Sequence, residues 1–70
     1  MAWLAVNKCG EEIISPEKPE RDDREWYCDE EVWIYGERYY VDKTIIVPNG
    51  TIHKLTGLNL SWSDEPVKII

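Results

Sequence analysis

One histidine, His53, and two cysteines, Cys9 and Cys28, are the side chains of this 70-residue sequence best suited to hold a metal or attack a substrate. A single histidine excludes a two-histidine metal site, and neither H-E-x-x-H nor C-x-x-C occurs. Cys9, Cys28, His53 and a carboxylate could meet only through tertiary approach, and Cys9 lies in a tight-turn sequence that explains it without metal. Cys28 reads as a small strand hydrophobe, and no neighbouring residue orients it toward His53 for nucleophilic work. Gly36, Gly50 and Gly57 are isolated, so no phosphate-cradling loop is formed. Acid pairs such as Asp22-Asp23 and Glu30-Glu31 point to opposite faces of an extended strand. No catalytic residue, metal ligand or cofactor is expected, and an enzyme is the least favoured class.

The acids are better read with the rings among them. The chain carries 14 Asp and Glu against 8 Lys and Arg, a net charge of −6. From Glu11 to Glu37 there are eleven acids and three bases, or −8; the remainder has three acids and five bases, or +2. This charge argues against binding duplex nucleic acid or an anionic membrane surface, both of which call for clustered Lys and Arg. One reading of the acidic segment is a solvated loop and strand edge whose charges prevent edge pairing. The other is a surface for a basic partner, with Asp22, Asp23, Asp29 and Glu30 steering approach and Trp26, Tyr27, Trp33 and Tyr35 as anchors. An alternative ligand set, Arg38, Tyr39, Lys54 and Trp62, could stack a base and meet a phosphate. If the strand is regular, Tyr39 and Tyr40 point to opposite faces, so only one of them can join.

These residues must be positioned by short elements in one domain spanning residues 1–70. A chain this short buries only about 60% of its unfolded surface, so an oligomer is a reasonable expectation. Four Trp, four Tyr and no Phe place many rings between core and water. No apolar run approaches the roughly 20 residues of a membrane span, and the start lacks the cationic region of a signal peptide. A cytosolic location with both cysteines as thiols is the expectation.

The pattern along the chain is that of an all-β fold. Residues 2–6 and 11–15 predict a hairpin around Asn7-Lys8-Cys9-Gly10, a type I turn followed by a left-handed residue. Residues 15–24, acidic and with two prolines, predict a mobile loop that buries nothing. Residues 31–35 and 38–42 predict a second hairpin on a two-residue Gly36-Glu37 loop. Large side chains on both of its faces require either a sheet that closes or cover from another chain. The β-branched run Thr44 to Val47 predicts a buried strand, residues 51–56 one helical turn started by Thr51 and ended by Gly57, and Leu58 to Trp62 an alternating stretch. The whole suggests a small antiparallel curled sheet or partly open barrel.

The stretch Val47-Pro48-Asn49-Gly50-Thr51-Ile52-His53-Lys54-Leu55-Thr56-Gly57, with Leu60, Trp62 and Asp64-Glu65-Pro66-Val67, resembles small, mostly uncharacterised proteins of tailed bacteriophages and prophages of gut bacteria. Trp3-Leu4-Ala5-Val6-Asn7-Lys8, Gly10 and Lys18-Pro19-Glu20-Arg21 extend the resemblance, which weakens over residues 22–43. It implies an origin and a way of acting. Small acidic phage proteins commonly bind a host defence protein, or sequester its nucleotide signal, in the host cytosol. A virion or assembly accessory is the third expectation.

Overall fold

The computed structural model describes residues 2–69. Eight short strands and one helix follow in the order β1 (Ala2–Val6), β2 (Glu12–Ser15), β3 (Glu20–Arg21), β4 (Trp26–Tyr27), β5 (Asp29–Ile34), β6 (Glu37–Asp42), β7 (Ile45–Val47), α1 (Thr51–Thr56) and β8 (Val67–Ile69). The all-β expectation with a short helical turn holds. Every pairing is antiparallel, in one four-stranded sheet of order β7-β2-β1-β8 and two separate ladders, β3-β4 and β5-β6. None closes into a barrel, because β6 runs into β7 without pairing with it.

The first hairpin forms as its turn residues dictate. Gly10 N–H donates to Asn7 O at 2.8 Å, Gly10 sits at φ 94°, and Asn7 N–H reaches Glu11 O at 2.8 Å. This is a type I turn followed by a left-handed residue that only glycine adopts without strain. The register Leu4↔Ile14 and Ala5↔Ile13 then sorts the side chains onto two faces of the sheet. On one face Leu4, Val6 and Ile52 of α1 form a buried cluster, joined by Ile14, Leu60 and Ile69. On the other Ala5, Ile13 and Trp26 cluster, with Trp62 against them. The body is therefore three layers, with α1 and the β3-β4 ladder on opposite sides of the sheet.

Several expectations change. The segment 15–24 is not wholly a loop: Glu20 and Arg21 pair with Tyr27 and Trp26, and Pro19 is buried. Thr51 does not cap α1 with its side chain. The carboxylate of Glu12, reaching across from β2, accepts the Gly50 and Ile52 N–H groups at 2.6 and 2.8 Å instead. Gly57 ends the helix as expected, at φ 76° with its N–H on His53 O. Strand β7 is an exposed edge rather than a buried strand, with Ile45 and Ile46 at 62% and 63% exposure. Leu58 to Trp62 forms no ladder. Its alternation instead sends Leu60 into one cluster and Trp62 into the other before the Ser61–Asp64 turn.

Candidate functional site

The second hairpin is the feature that the two cores do not use. Its register runs from Asp29↔Asp42 to Ile34↔Glu37, so the loop is Tyr35-Gly36 rather than Gly36-Glu37. Both loop residues have positive φ, 50° and 79°, the signature of a type I′ turn whose twist matches the flanking strands. Glycine suits that turn and tyrosine does not, yet Tyr35 stands there fully exposed.

Pairing fixes what each face carries, because directly opposed residues share a face. One face holds Val32, Ile34, Tyr39 and Val41 with Glu30 and Glu37; the other holds Trp33, Arg38 and Tyr40 with Asp29, Glu31 and Asp42. The Arg38 guanidinium lies 5.7 Å from the centre of the Tyr40 ring. The Tyr39 hydroxyl donates to Glu37, and this bond to a carboxylate holds the phenol above its usual range. Neither face is covered. Ten large apolar side chains are exposed among the described residues, and eight of them lie between Trp33 and Ile46. Apolar exposure this concentrated marks a contact surface more often than scattered single residues do.

The base of the hairpin is fixed to the body by polar contacts. Asp42 Oδ1 accepts the Cys28 N–H at 3.1 Å and the Thr44 N–H and hydroxyl at 3.0 Å each, while Lys43 N–H donates to Cys28 O at 2.8 Å. Burial would raise the Asp42 carboxyl, but these three donors outweigh it and hold it below the usual carboxylate value. The Lys43 ammonium sits 3.3 Å from Glu17 and 4.0 Å from Glu30. Its bond to Glu17 raises it above the ordinary lysine value against the opposing effect of burial.

The anchors expected from sequence separate into two groups. Trp33, Tyr35, Asp29 and Glu30 lie on the exposed hairpin. Trp26 does not belong with them: it is 4% exposed, its indole N–H donates to Val6 O at 3.0 Å, and its amide donates to Asn7 Oδ1 at 2.9 Å. It is a core residue. Tyr27, half-buried, donates its hydroxyl to Glu20 at 3.0 Å, which raises the phenol. Asp22 closes its own turn by accepting the Arg24 and Glu25 N–H groups at 2.7 and 2.8 Å, which hold it below the usual carboxylate value. Asp23 is exposed in that turn.

The alternative ligand set is not assembled. Arg38 and Tyr39 occupy opposite faces of the hairpin, Lys54 is on α1, and the Trp62 ring lies under Arg21, 4.8 Å away. Sequence reasoning did not name Ile34, Val41, Ile45 and Ile46 as site residues, although the large residues at both parities of 32–35 had already called for a closing sheet or cover from another chain; Ile45 and Ile46 were expected to be buried.

Cys9 is exposed and Cys28 buried, both as free thiols, and among the described residues no group of three or more His, Cys, Asp or Glu could hold a metal ion. No described helix is long and apolar enough to cross a membrane. No known protein family, curated protein or solved structure matches this chain.

Proposed function

We propose that this chain is a small binding protein that docks its β5-β6 hairpin on a basic surface of another protein. The observation that carries the reading is the hairpin itself. Trp33, Ile34, Tyr35, Tyr39, Tyr40 and Val41 are all exposed on an element that contributes to neither core, beside the carboxylates Glu30, Glu31 and Glu37. Rings and aliphatic groups supply contact energy on desolvation, while the carboxylates speed encounter with a cationic partner. The resemblance to phage and prophage proteins favours a host protein in the cytosol, a defence protein among them, with inhibition by occlusion as the consequence.

The test is capture from cells expressing the tagged chain, with nuclease treatment, followed by affinity measurement on the captured protein. Trp33→Ala combined with Glu30→Lys should weaken binding at least tenfold, and wild-type affinity should fall as salt rises from about 50 to about 500 mM. An affinity that is flat with salt, or a double variant that binds like wild type, would sink the proposal.

A further inference from the structure

We propose that the free outer edge of β7 receives the β5-β6 hairpin of a second copy of this chain, reciprocally, so that two chains join their sheets. The edge comes first. β7 is the terminal strand of the four-stranded sheet, with Ile45 and Ile46 exposed on it. A bare apolar edge is a template for another strand, and none of Ile45, Ile46 and Val47 is a charged or proline residue, so shortness and the Pro48 that follows are what limit this edge to a three-residue pairing.

The chain does not cover that edge itself. Only Lys43 and Thr44 separate β6 from β7, yet the Asp42 contacts to Cys28 and Thr44 fix the hairpin base so that β6 and β7 remain unpaired. Each chain thus offers an unpaired hairpin and an unpaired edge. A two-fold axis satisfies both at once, since in an isologous contact each surface meets its complement on the partner.

Charge favours this arrangement over hairpin-on-hairpin contact. The eight exposed side chains between Trp33 and Ile46 lie on both faces of their strands, so a joined edge covers the flanking part of each face. Residues 29–42 hold five carboxylates and one arginine, −4, so two hairpins repel one another. Residues 43–63 hold no carboxylate and carry Lys43 and Lys54. Lys43 is paired with Glu17 and Glu30 of its own chain and Glu12 is occupied by the Gly50 and Ile52 amides, so among the described residues Lys54 is the lysine of this segment without an ion pair. This self-pairing stands on the β7 edge and does not depend on the proposed foreign partner. Where both occur they compete for the hairpin, so self-association regulates its availability.

Sedimentation velocity between about 5 and about 200 µM tests it, the range in which the dimer should be populated. Wild type should be a dimer. Ile46→Lys, which breaks the edge, and Trp33→Ser with Tyr40→Ser, which breaks the hairpin, should each be monomeric, with far-UV circular dichroism unchanged because all three side chains are exposed. Mixing the two variants should give a heterodimer at the upper end of that range, weaker than the wild-type dimer, since it keeps one of the two hairpin–edge contacts. A wild type that stays monomeric, a hairpin variant that still dimerises, or a mixture no more associated than its components overturns the proposal. Failure here leaves capture of a foreign partner untouched: Ile46→Lys keeps the hairpin and should still bind it.

Discussion

Two residues show most directly how local chemistry is used. Tyr35 occupies the first central position of a type I′ turn at φ 50°, a conformation that Asn or Gly adopts far more readily. An aromatic residue held there and fully exposed has no packing to recover the strain. Tyr35→Asn should therefore stabilise the hairpin by about 0.5–1 kcal/mol, visible as slower amide exchange in β5 and β6, and should weaken partner binding if the ring is an anchor. Stabilisation without loss of binding would remove Tyr35 from the contact surface. Arg21 is the opposite case, an exposed charge used to hold the scaffold together. Its guanidinium lies 4.4 Å from the Trp26 ring centre and 4.8 Å from that of Trp62, and donates to Trp62 O at 2.7 Å and Asp64 O at 3.2 Å. It thereby ties the C-terminal segment to the β3-β4 ladder, whose Trp26 meets Trp62 edge to face at 6.0 Å. Arg21→Ala should cost about 2 kcal/mol in urea unfolding, and Arg21→Lys should recover only part of it, because an ammonium can reach the carbonyls but cannot lay a planar group against the two rings.

At the scale of elements, the turn at Asp22 and the hairpin base at Asp42 are both closed by carboxylates accepting backbone N–H groups. Both carboxyls are lower in the folded protein than the value of about 3.9 expected when unfolded. Their contribution to stability is thus present above that unfolded value and is lost as pH falls through the folded values. The urea midpoint should be level near pH 6 and drop below about pH 4, with Asp42→Asn flattening part of the drop and speeding exchange at the Cys28 and Thr44 amides. An acid limb unchanged by Asp42→Asn would place that sensitivity elsewhere. The same elements show what could be read in the residues before the fold was known. The Asn7–Gly10 turn and the Gly57 stop were legible because glycine at a left-handed position is a local rule. The Tyr35-Gly36 loop was not, because placing tyrosine in the left-handed region breaks that rule, and the predicted loop was one residue off. Trp26 was misread as an anchor since its burial depends on Val6 and Asn7, some twenty residues earlier in the chain. The Glu12 contact to α1 likewise crosses 38 to 40 residues, so no window around Thr51 could reveal it.

Across the whole molecule, these local choices produce an elongated shape. The radius of gyration is 13.1 Å, with principal extents of 44 × 26 × 19 Å, whereas a compact chain of this length would give about 11 Å. The excess is expected of a chain that builds its two clusters from β1, β2, β4, α1 and the C-terminal segment and leaves β5-β6 outside them. A two-stranded hairpin with no covered face is at best marginally stable in water, so it persists here through its base contacts and gains little from the body. The body, in turn, should not need it. Glu30 and Val41 are directly paired at a hydrogen-bonded position of the ladder, four steps from Ile34↔Glu37, so replacing residues 31–40 by Asn-Gly reconnects the strands near the base with a favourable two-residue turn. At about 0.1 µM, well below the range in which the dimer is populated, this shortened chain should unfold within about 0.5 kcal/mol of wild type and keep the fluorescence of a buried Trp26. It should also lose both self-association and partner capture. A loss of more than about 1.5 kcal/mol would show instead that the hairpin belongs to the folding unit, and its exposed rings would then have to be explained by stability rather than by contact with another chain.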